Sequence, residues 1–527
     1  MIEYRRGWPY LTLIAFGLGL VLLFLFREYR LTGRLDGVPL DDSWIHYRFA
    51  ANFRNGDGFG FNRGQPTPGS TAPLWAGILA LVGSGYLIPS KVIGMLAYLA
   101  VGVMNYRIGL QMGLFKPFAL LAGLGTLAAG RLVWSAPSGM ETTAFTLFAL
   151  VCLMAWGRSS QGKISPEISI LIGLTCMLRP EGYLLLGLSG LDWAIHHRGQ
   201  PGWSKALIKH LALASMVILP YLVFSLLTTG HLLPNTFYAK SSTWACRPGP
   251  GYFVWIVLAF LADNPVLTTL AAAGLIWSLQ SGAWKTNPSI SLGGAWCLGL
   301  PLAYGILAPC TSSYYLRYTT PLIPVVMSFG VLGTQKASEW FALRRSREAR
   351  RAEGKNRFGS SPGSGLGLAL GFEGVLLALI PTLWFWAPFY GQSVADIGAM
   401  HIRIGKWLAE HSQPGQLVAL NDVGAIGSLA GREVIDLMGL TSPEVIHLVA
   451  GKSPGVWDAA LADYLSQRRP DYLVVFPNWF PRMVKELPLE PVYAVSLPER
   501  RIAGIDNLTV AGGGKMVVYK CLWPGLK

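Results

Sequence analysis

The sequence predicts a polytopic α-helical membrane protein that carries a C-terminal α/β domain outside the membrane. Two observations predict it. Only 13% of the 527 residues are Asp, Glu, Lys or Arg, about half the ~25% of a typical globular protein, while 52% are apolar and the mean hydropathy is +0.41. The apolar residues also arrive in runs of ~15–25, and ~20 helical residues cross a bilayer core of ~30 Å, fewer where a span ends in a cavity.

A net charge of +15 invites a nucleic-acid reading, which would need Lys and Arg clustered on a soluble face. The densest basic cluster, Lys336 to Arg357, holds eight basic and three acidic residues and lies between two apolar runs. It reads as a cytoplasmic loop under the positive-inside rule, and no nucleic-acid partner is implied. The six Cys are scattered, with no CxxC and no His spacing for zinc. Cys246 and Cys310 fall in loops on one side, but spacing alone fixes no pairing.

The first apolar run, Trp8 to Phe26, follows Arg5 and Arg6 and has no small-residue cleavage site. It is expected to be a retained span with a cytoplasmic N-terminus. A first outer loop, residues 27–91, comes next. Its stretch Pro73–Ile88 is apolar but broken by Gly77, Gly83 and Gly85, so it either spans or lies in the interface. If it does not cross, spans follow near 91–110, 117–134, 140–157, 165–179, 181–197, 206–227, 263–280, 289–309, 319–336 and 365–388. The cytoplasmic loops then hold 18 Lys and Arg and the short outer loops hold five, Arg131, Arg179, Lys240, Arg247 and Arg317. If it crosses, the rule is inverted, so about eleven transmembrane helices are expected.

The membrane part is expected to occupy residues 1–389, with a basic cytoplasmic loop at 336–364. From about Tyr390 the apolar stretches shorten. Val394–His411 reads as an amphipathic helix, Gln416–Leu420, Glu433–Leu437 and Tyr472–Phe476 as strands, Trp457–Gln467 as a helix, and Pro491–Ser496 and Lys515–Cys521 as closing strands. Residues 390–527 are therefore expected to form an extracytoplasmic α/β domain, large enough for its own core.

Charged groups at the outer ends of the spans are the candidates for chemistry. Asp41 and Asp42 follow Pro39 and open a helix-like stretch with Trp44, Tyr47 and Phe49. Such carboxylates cap free N–H groups, or one of them acts as general base on a hydroxyl while its neighbour orients it or binds a cation. His46 falls one turn later, where it can bond to Asp42. The Gly-rich run 56–71 has no preceding strand and no Gly-Lys-Ser/Thr, which argues for turns and against nucleotide binding. Glu141, Arg179 with Glu181, Asn235 to Lys240, and Arg317 recur on the same side. Charges at membrane depth are costly and usually line a cavity. Singly, each is also readable as an anchor, a cap or a structural ion pair. Arg and Lys there suit a phosphate, Arg as a fork and Lys as a point charge.

The segments Asp41–Asn52, Gly60-Phe-Asn62, Ser138-Gly-Met-Glu-Thr142, Leu178-Arg-Pro-Glu-Gly182, Pro234–Lys240, Leu316–Pro324 and Asn421–Gly427 resemble the GT-C glycosyltransferases, membrane enzymes that use polyprenyl-phosphate sugars. Within that superfamily the resemblance is to the mycobacterial terminal arabinofuranosyltransferases and their bacterial relatives. It runs through nearly the whole chain in family order. It implies a GT-C-like fold in a bacterial inner membrane, with the acidic motif at Asp41 and Asp42 and an amphipathic helix in the first loop.

The implied reaction moves a sugar, arabinofuranose or another pentose or hexose, from a polyprenyl-phosphate donor to a hydroxyl of an envelope glycan, lipid or protein acceptor on the outer face. Asp41 or Asp42 would take the hydroxyl proton. Arg179, Lys240 and Arg317 would stabilise the phosphate, and Glu141, Glu181, Asn235 and Tyr238 would bind substrate. The paired aspartates leave room for Mg²⁺ or Mn²⁺. His46 stands where relatives often carry a small or hydroxyl residue. Asp422 and Asp436 read as turn residues in preference to acceptor ligands. The alternative is a transporter or flippase without chemistry, whose internal repeats and mid-membrane charges are not found in this sequence.

Overall fold

The computed structural model describes residues 7–83, 85–159, 163–242, 250–307, 317–353, 363–449, 452–499 and 501–524. Cys246, Cys310 and most of the Gly/Ser-rich stretch after Arg351 lie outside them.

Five described helices are long and apolar enough to cross a membrane: Trp8–Thr32, Leu87–Gln111, Trp203–Thr229, Pro288–Leu307 and the continuous run Gly365–His411. A sixth results if the pair Gly251–Asp263 and Pro265–Gln280, bent by 120° at Asn264, counts as one span. The expected eleven included shorter pieces. Lys116–Ala128, Thr142–Trp156 and Pro166–Leu178 have 13, 15 and 13 residues, roughly 20 Å each at ~1.5 Å per residue. They stop short because their ends carry buried polar groups, among them Glu141 and Arg179. Irregular backbone is tolerated at membrane depth only where protein surrounds it. Pro73–Val82 has ten residues, about half a bilayer core, and packs against the helix Asp42–Asn55. It does not cross.

The ends of the helices separate into two groups. At one end Asn287 Nδ2 donates to Gln111 O (2.8 Å), Gln111 Nε2 to Met154 O (3.2 Å), and Phe115 N to Gln335 Oε1 (3.0 Å). Trp156 Nε1 donates to Asp192 there (2.7 Å). At the other end lie the first loop, residues 138–141, the corner 178–181 and the short 3-10 helix Arg317–Leu322. These are the two sets of loops that the distribution of Lys and Arg assigns to opposite faces.

The last helical run continues through Tyr390 without a break and includes two π-helical turns, Thr382–Trp386 and Gly398–Ile402. Its 47 residues span roughly 70 Å, more than twice a bilayer core. The far half carries a sheet built from β1 (Leu417–Leu420), β2 (Glu433–Asp436), β3 (Tyr472–Val475), β4 (Leu489–Ser496) and β7 (Lys515–Cys521). A two-residue hairpin, β5 (Arg501–Ile502) and β6 (Ile505–Asp506), stands apart. The order is β2-β1-β3-β7-β4, with β2, β1 and β3 parallel and the last two joins antiparallel.

Alternation along the strands gives the sheet two apolar faces. Val418, Leu420, Val474 and Val518 face a core that also contains Ile45, Phe49 and Phe61 of the first loop and Met400, Ile404 and Leu408 of the long helix. Ala419, Leu473 and Val517 face the helices Pro443–Val449 and Pro454–Arg468. The first loop and the sheet therefore share one hydrophobic core, which fixes the position of Asp41 and Asp42 against a domain nearly 400 residues away.

A buried ion pair fixes the other end of that loop. Lys91 Nζ donates to both Glu28 oxygens (2.7 and 2.6 Å) and to the carbonyls of Leu35 and Gly37 (both 2.8 Å). Glu28 also accepts from Gly37 N (3.0 Å) and Tyr390 OH (2.9 Å). All of these groups lose water on folding, so their mutual satisfaction decides whether the loop is ordered.

Candidate active site

The polar groups at the site end of the helices surround a cavity of about 420 Å³. Its lining combines apolar Leu184, Leu300, Ala303 and Leu307 with Asp42, His46, Glu141, Arg179, Glu181 and Arg317.

The adjacent aspartates are separated by their environments. Asp41 is the N-cap residue of Asp42–Asn55, but its φ/ψ of −62/−40° is helical and its side chain does not cap that helix. An N-cap side chain folds back typically from an extended backbone, so of the two readings open for the pair, capping of its own helix does not apply to Asp41. Its carboxylate instead accepts from Gly424 N (2.8 Å) and Ala425 N (2.7 Å), at the start of the helix Gly424–Ala430. A Cβ at Gly424 would lie 2.0 Å from Asp41 O and 2.6 Å from its Oδ2, so only glycine permits this approach. Burial pushes the Asp41 carboxyl up to about 6; His401 and the two amides pull it down, and Asp422 adds to the rise. His401 Nε2 lies 2.9 Å from Asp422 Oδ2.

Asp42 faces the cavity and pairs with Arg317, its side chain about one quarter exposed. Arg317 also lies 3.3 Å from Tyr318 OH. The turn that carries it is held by Arg131, whose Nη1 donates to Thr319 Oγ1 (2.9 Å) and whose Nε donates to Asp263 (2.6 Å) at the helix bend. Ser43 Oγ donates to Ser138 O (2.8 Å) and ties the start of the acidic helix to the strip that ends in Glu141.

Arg179 is shared between two carboxylates. Its Nη1 donates to Glu141 Oε1 (2.9 Å), and its Nε and Nη2 reach Glu181 Oε1 (2.8 and 2.6 Å). His46 bonds elsewhere than the expected Asp42: its Nε2 lies 3.3 Å from Glu141 Oε2 and its Nδ1 3.1 Å from Ser70 Oγ. Five sequence candidates, Asp42, Glu141, Arg179, Glu181 and Arg317, thus line one cavity.

The others do not. Asp41 is engaged with the C-terminal sheet region. Asn235 is fully buried beside the cavity, donating to Thr67 Oγ1 (3.1 Å). Tyr238 stacks on His231 with ring centroids 4.7 Å apart. The Lys240 side chain lies outside the described residues. His46 and Tyr318, inside the segments 41–52 and 316–324, also line the cavity, as does Tyr304, which carried no signal in the sequence. Asp436 is a turn residue, accepting from Met438 N (2.8 Å) and Thr441 N (2.7 Å).

The neighbouring carboxylates do not face one ion, Mg²⁺ or Mn²⁺, together: Asp41 turns to two amides of the C-terminal region and Asp42 pairs with a guanidinium at the cavity. Among the described residues no group of three or more His, Cys, Asp and Glu has metal-binding geometry.

Comparisons with known proteins address the fold. A family described as a domain of unknown function (DUF8728) matches residues 390–519. No curated protein matches the sequence. Among solved structures, ArnT from Cupriavidus metallidurans bound to undecaprenyl phosphate is similar over 96% of this chain and 97% of its own, at 12% identity and a TM-score of 0.57. Its apo state gives 98% of both chains, 12% and 0.58. An oligosaccharyltransferase from Archaeoglobus fulgidus, in complex with zinc and sulfate, is similar over 92% of this chain and 72% of its own, at 11% identity and a TM-score of 0.56. The chain therefore shares the fold of these structures over most of its length.

Proposed function

We propose that this chain is a membrane glycosyltransferase that moves a sugar from a polyprenyl-phosphate donor to an acceptor hydroxyl, with Asp42 as the general base. The observation that carries the reading is the cavity itself: the Asp42–Arg317 carboxylate–guanidinium pair lines a chamber whose lining is otherwise largely apolar. The ArnT structure with undecaprenyl phosphate supports a donor of this kind in this fold.

In this reading the apolar lining takes the first isoprene units and the sugar phosphate faces the charged groups. The acceptor oxygen attacks the anomeric carbon, its proton passes to an Asp42 carboxylate oxygen, and the bond from that carbon to the phosphate oxygen breaks. Arg317 stabilises the charge that gathers on the departing phosphate. Arg179 has three of its five N–H donors committed to Glu141 and Glu181. It acts mainly as the counter-charge that holds these two carboxylates oriented toward sugar hydroxyls. His46, braced between Glu141 and Ser70, adds a further polar contact.

The N-terminus and the basic loops face the cytoplasm, while the cavity and the sheet face outward, as the excess of Lys and Arg on the opposite end supports. The sugar is arabinofuranose or another pentose or hexose, and the acceptor an envelope glycan, lipid or protein. The test is to incubate membranes carrying the protein with radiolabelled polyprenyl-phosphate pentoses and hexoses. Labelled product from at least one donor with the native protein, and none with Asp42→Asn, is expected. Uptake or translocation of the donor without product would favour a transporter.

A further inference from the structure

The seam between the first loop and the sheet leaves a second cleft, of about 100 Å³, outside the cavity described above. One wall is the strip from Asn62 to Thr67. The other is the edge strand β2 with the turn after it, and Arg468 closes one end. Asn62 behaves as a neighbouring strand would: its Nδ2 donates to Val434 O (2.9 Å) and its Oδ1 accepts from Val434 N (3.0 Å). The sheet edge is thereby covered at this point, and the groups left facing the cleft are side chains.

Those side chains have a definite chemistry. Gln65 Nε2 donates to Glu433 Oε1 (2.9 Å), Thr441 and Ser442 contribute hydroxyls, and Glu444 and Arg468 are also in the lining. Two carboxylates against one guanidinium disfavour an anion, and the absence of any aromatic or large aliphatic patch beyond Val434 and Ile435 disfavours a lipid tail. Amides, hydroxyls and carboxylates in a shallow cleft suit a neutral polyol. The cleft has room for several waters, which suits the hydroxyl edge of one sugar ring.

The cleft is a thin wall away from the reaction cavity. Thr67 and Thr441 line the cleft, whereas Gly69 and Leu440 line the cavity, and a Cβ at Gly69 would sit 2.9 Å from Leu440 O. Asn235 crosses the same wall. Its Nδ2 donates to Thr67 Oγ1 while the next residue, Thr236, lines the cavity, and Asn235 Oδ1 and Thr236 Oγ1 have no hydrogen-bond partner among the described residues.

We propose that this cleft is an acceptor subsite for a neutral glycan, holding a sugar unit next to the one whose hydroxyl enters the cavity. It rests on the glycosyltransferase reading but is separable from it by experiment. The purified full-length protein in nanodiscs is mixed with neutral pentose and hexose tetrasaccharides, and binding is read by saturation-transfer NMR for the native protein, Arg468→Ala, Glu433→Gln and Asp42→Asn. Undecaprenyl phosphate binding is measured in parallel.

At least one tetrasaccharide is expected to bind the native protein and Asp42→Asn alike, and to bind the two cleft variants about tenfold more weakly, the equivalent of one charge-assisted hydrogen bond. Undecaprenyl phosphate binding should be unchanged in the cleft variants. Equal tetrasaccharide binding by native and cleft variants, or none by the native protein, overturns the subsite. Failure of the native protein to form product from any donor would instead count against the glycosyltransferase reading, whatever the binding data show.

Discussion

Asp42 and Arg317, 275 positions apart, form an ion pair at the wall of the cavity, while Asp41, the immediate neighbour of Asp42, binds two backbone amides of the C-terminal region. One peptide unit thus divides two functions. Asp42 is available to a substrate, and Asp41 holds the loop that presents it.

The two aspartates should therefore fail in different ways. Asp42→Asn is expected to lower the rate of sugar transfer by about 10²–10⁴, the usual worth of a positioned general base, with little change in thermal stability. Asp41→Asn keeps one acceptor oxygen and replaces the other by an amide NH₂, which leaves a buried N–H opposite a donor. It should cost about 1–3 kcal/mol of stability, read as a lower melting temperature, with transfer per folded molecule reduced less than in Asp42→Asn.

The stability difference at Asp41 should also depend on pH. Its folded-state pKa is raised to about 6 from 3.8, so folding favours the protonated acid. Its contribution is fully present below the unfolded pKa near 4 and is lost as pH rises through 6. The native protein should therefore lose stability relative to Asp41→Asn between pH 4 and 6.5, and the gap between their melting temperatures should narrow. A widening gap would contradict the burial argument.

Arg317 should not tolerate lysine. Arg317→Lys retains the charge but loses the planar fork, and transfer is expected to fall about tenfold or more, with Arg317→Gln lower still. A steady-state comparison of kcat and KM for the donor checks it, the larger effect being expected in kcat because the charge on the leaving phosphate grows in the transition state.

Arg179 is expected to be a stability residue as much as a binding one. Arg179→Met strands Glu141 and Glu181, both buried, and breaking such a cluster from one side costs about 3–5 kcal/mol. Adding Glu141→Gln and Glu181→Gln to Arg179→Met should recover much of the melting temperature without recovering transfer.

The Glu28–Lys91 pair offers a test of positioning away from the cavity. Lys91→Met alone leaves a buried carboxylate and should lower both stability and transfer. Glu28→Gln combined with Lys91→Met should restore stability in part, since Tyr390 and Gly37 keep a hydrogen-bonding partner at position 28. Unchanged transfer in Lys91→Met would show that the start of the loop does not position Asp42.

Much of this arrangement is legible in the sequence, for identifiable reasons. Charges at the ends of apolar runs are conspicuous, which is how Asp42, Glu141, Arg179, Glu181 and Arg317 come to be candidates together. Short runs such as Tyr472–Val475 read as strands because every residue is apolar or aromatic and the run is too short for a helix. What the sequence conceals is long-range register. Whether Asp41 or Asp42 faces the cavity depends on where Gly424 docks, and no local pattern encodes a contact across 383 positions.

The short helices ending at Glu141 and Arg179 are concealed for a related reason. Their hydrophobicity runs on into neighbouring irregular segments, and only the polar cavity explains where they stop. The helix Pro250–Asp263 falls between the spans expected near 206–227 and 263–280, and a 120° bend separates it from Pro265–Gln280.

The most direct measurement compares single-turnover sugar transfer by the native protein, Asp41→Asn and Asp42→Asn, each in nanodiscs with the polyprenyl-phosphate sugar that labels product in native membranes. The account predicts product from the native protein, a reduced but measurable rate from Asp41→Asn, and a rate at least about a hundredfold below native from Asp42→Asn. Transfer by Asp42→Asn at the native rate, with the loss confined to Asp41→Asn, would contradict it.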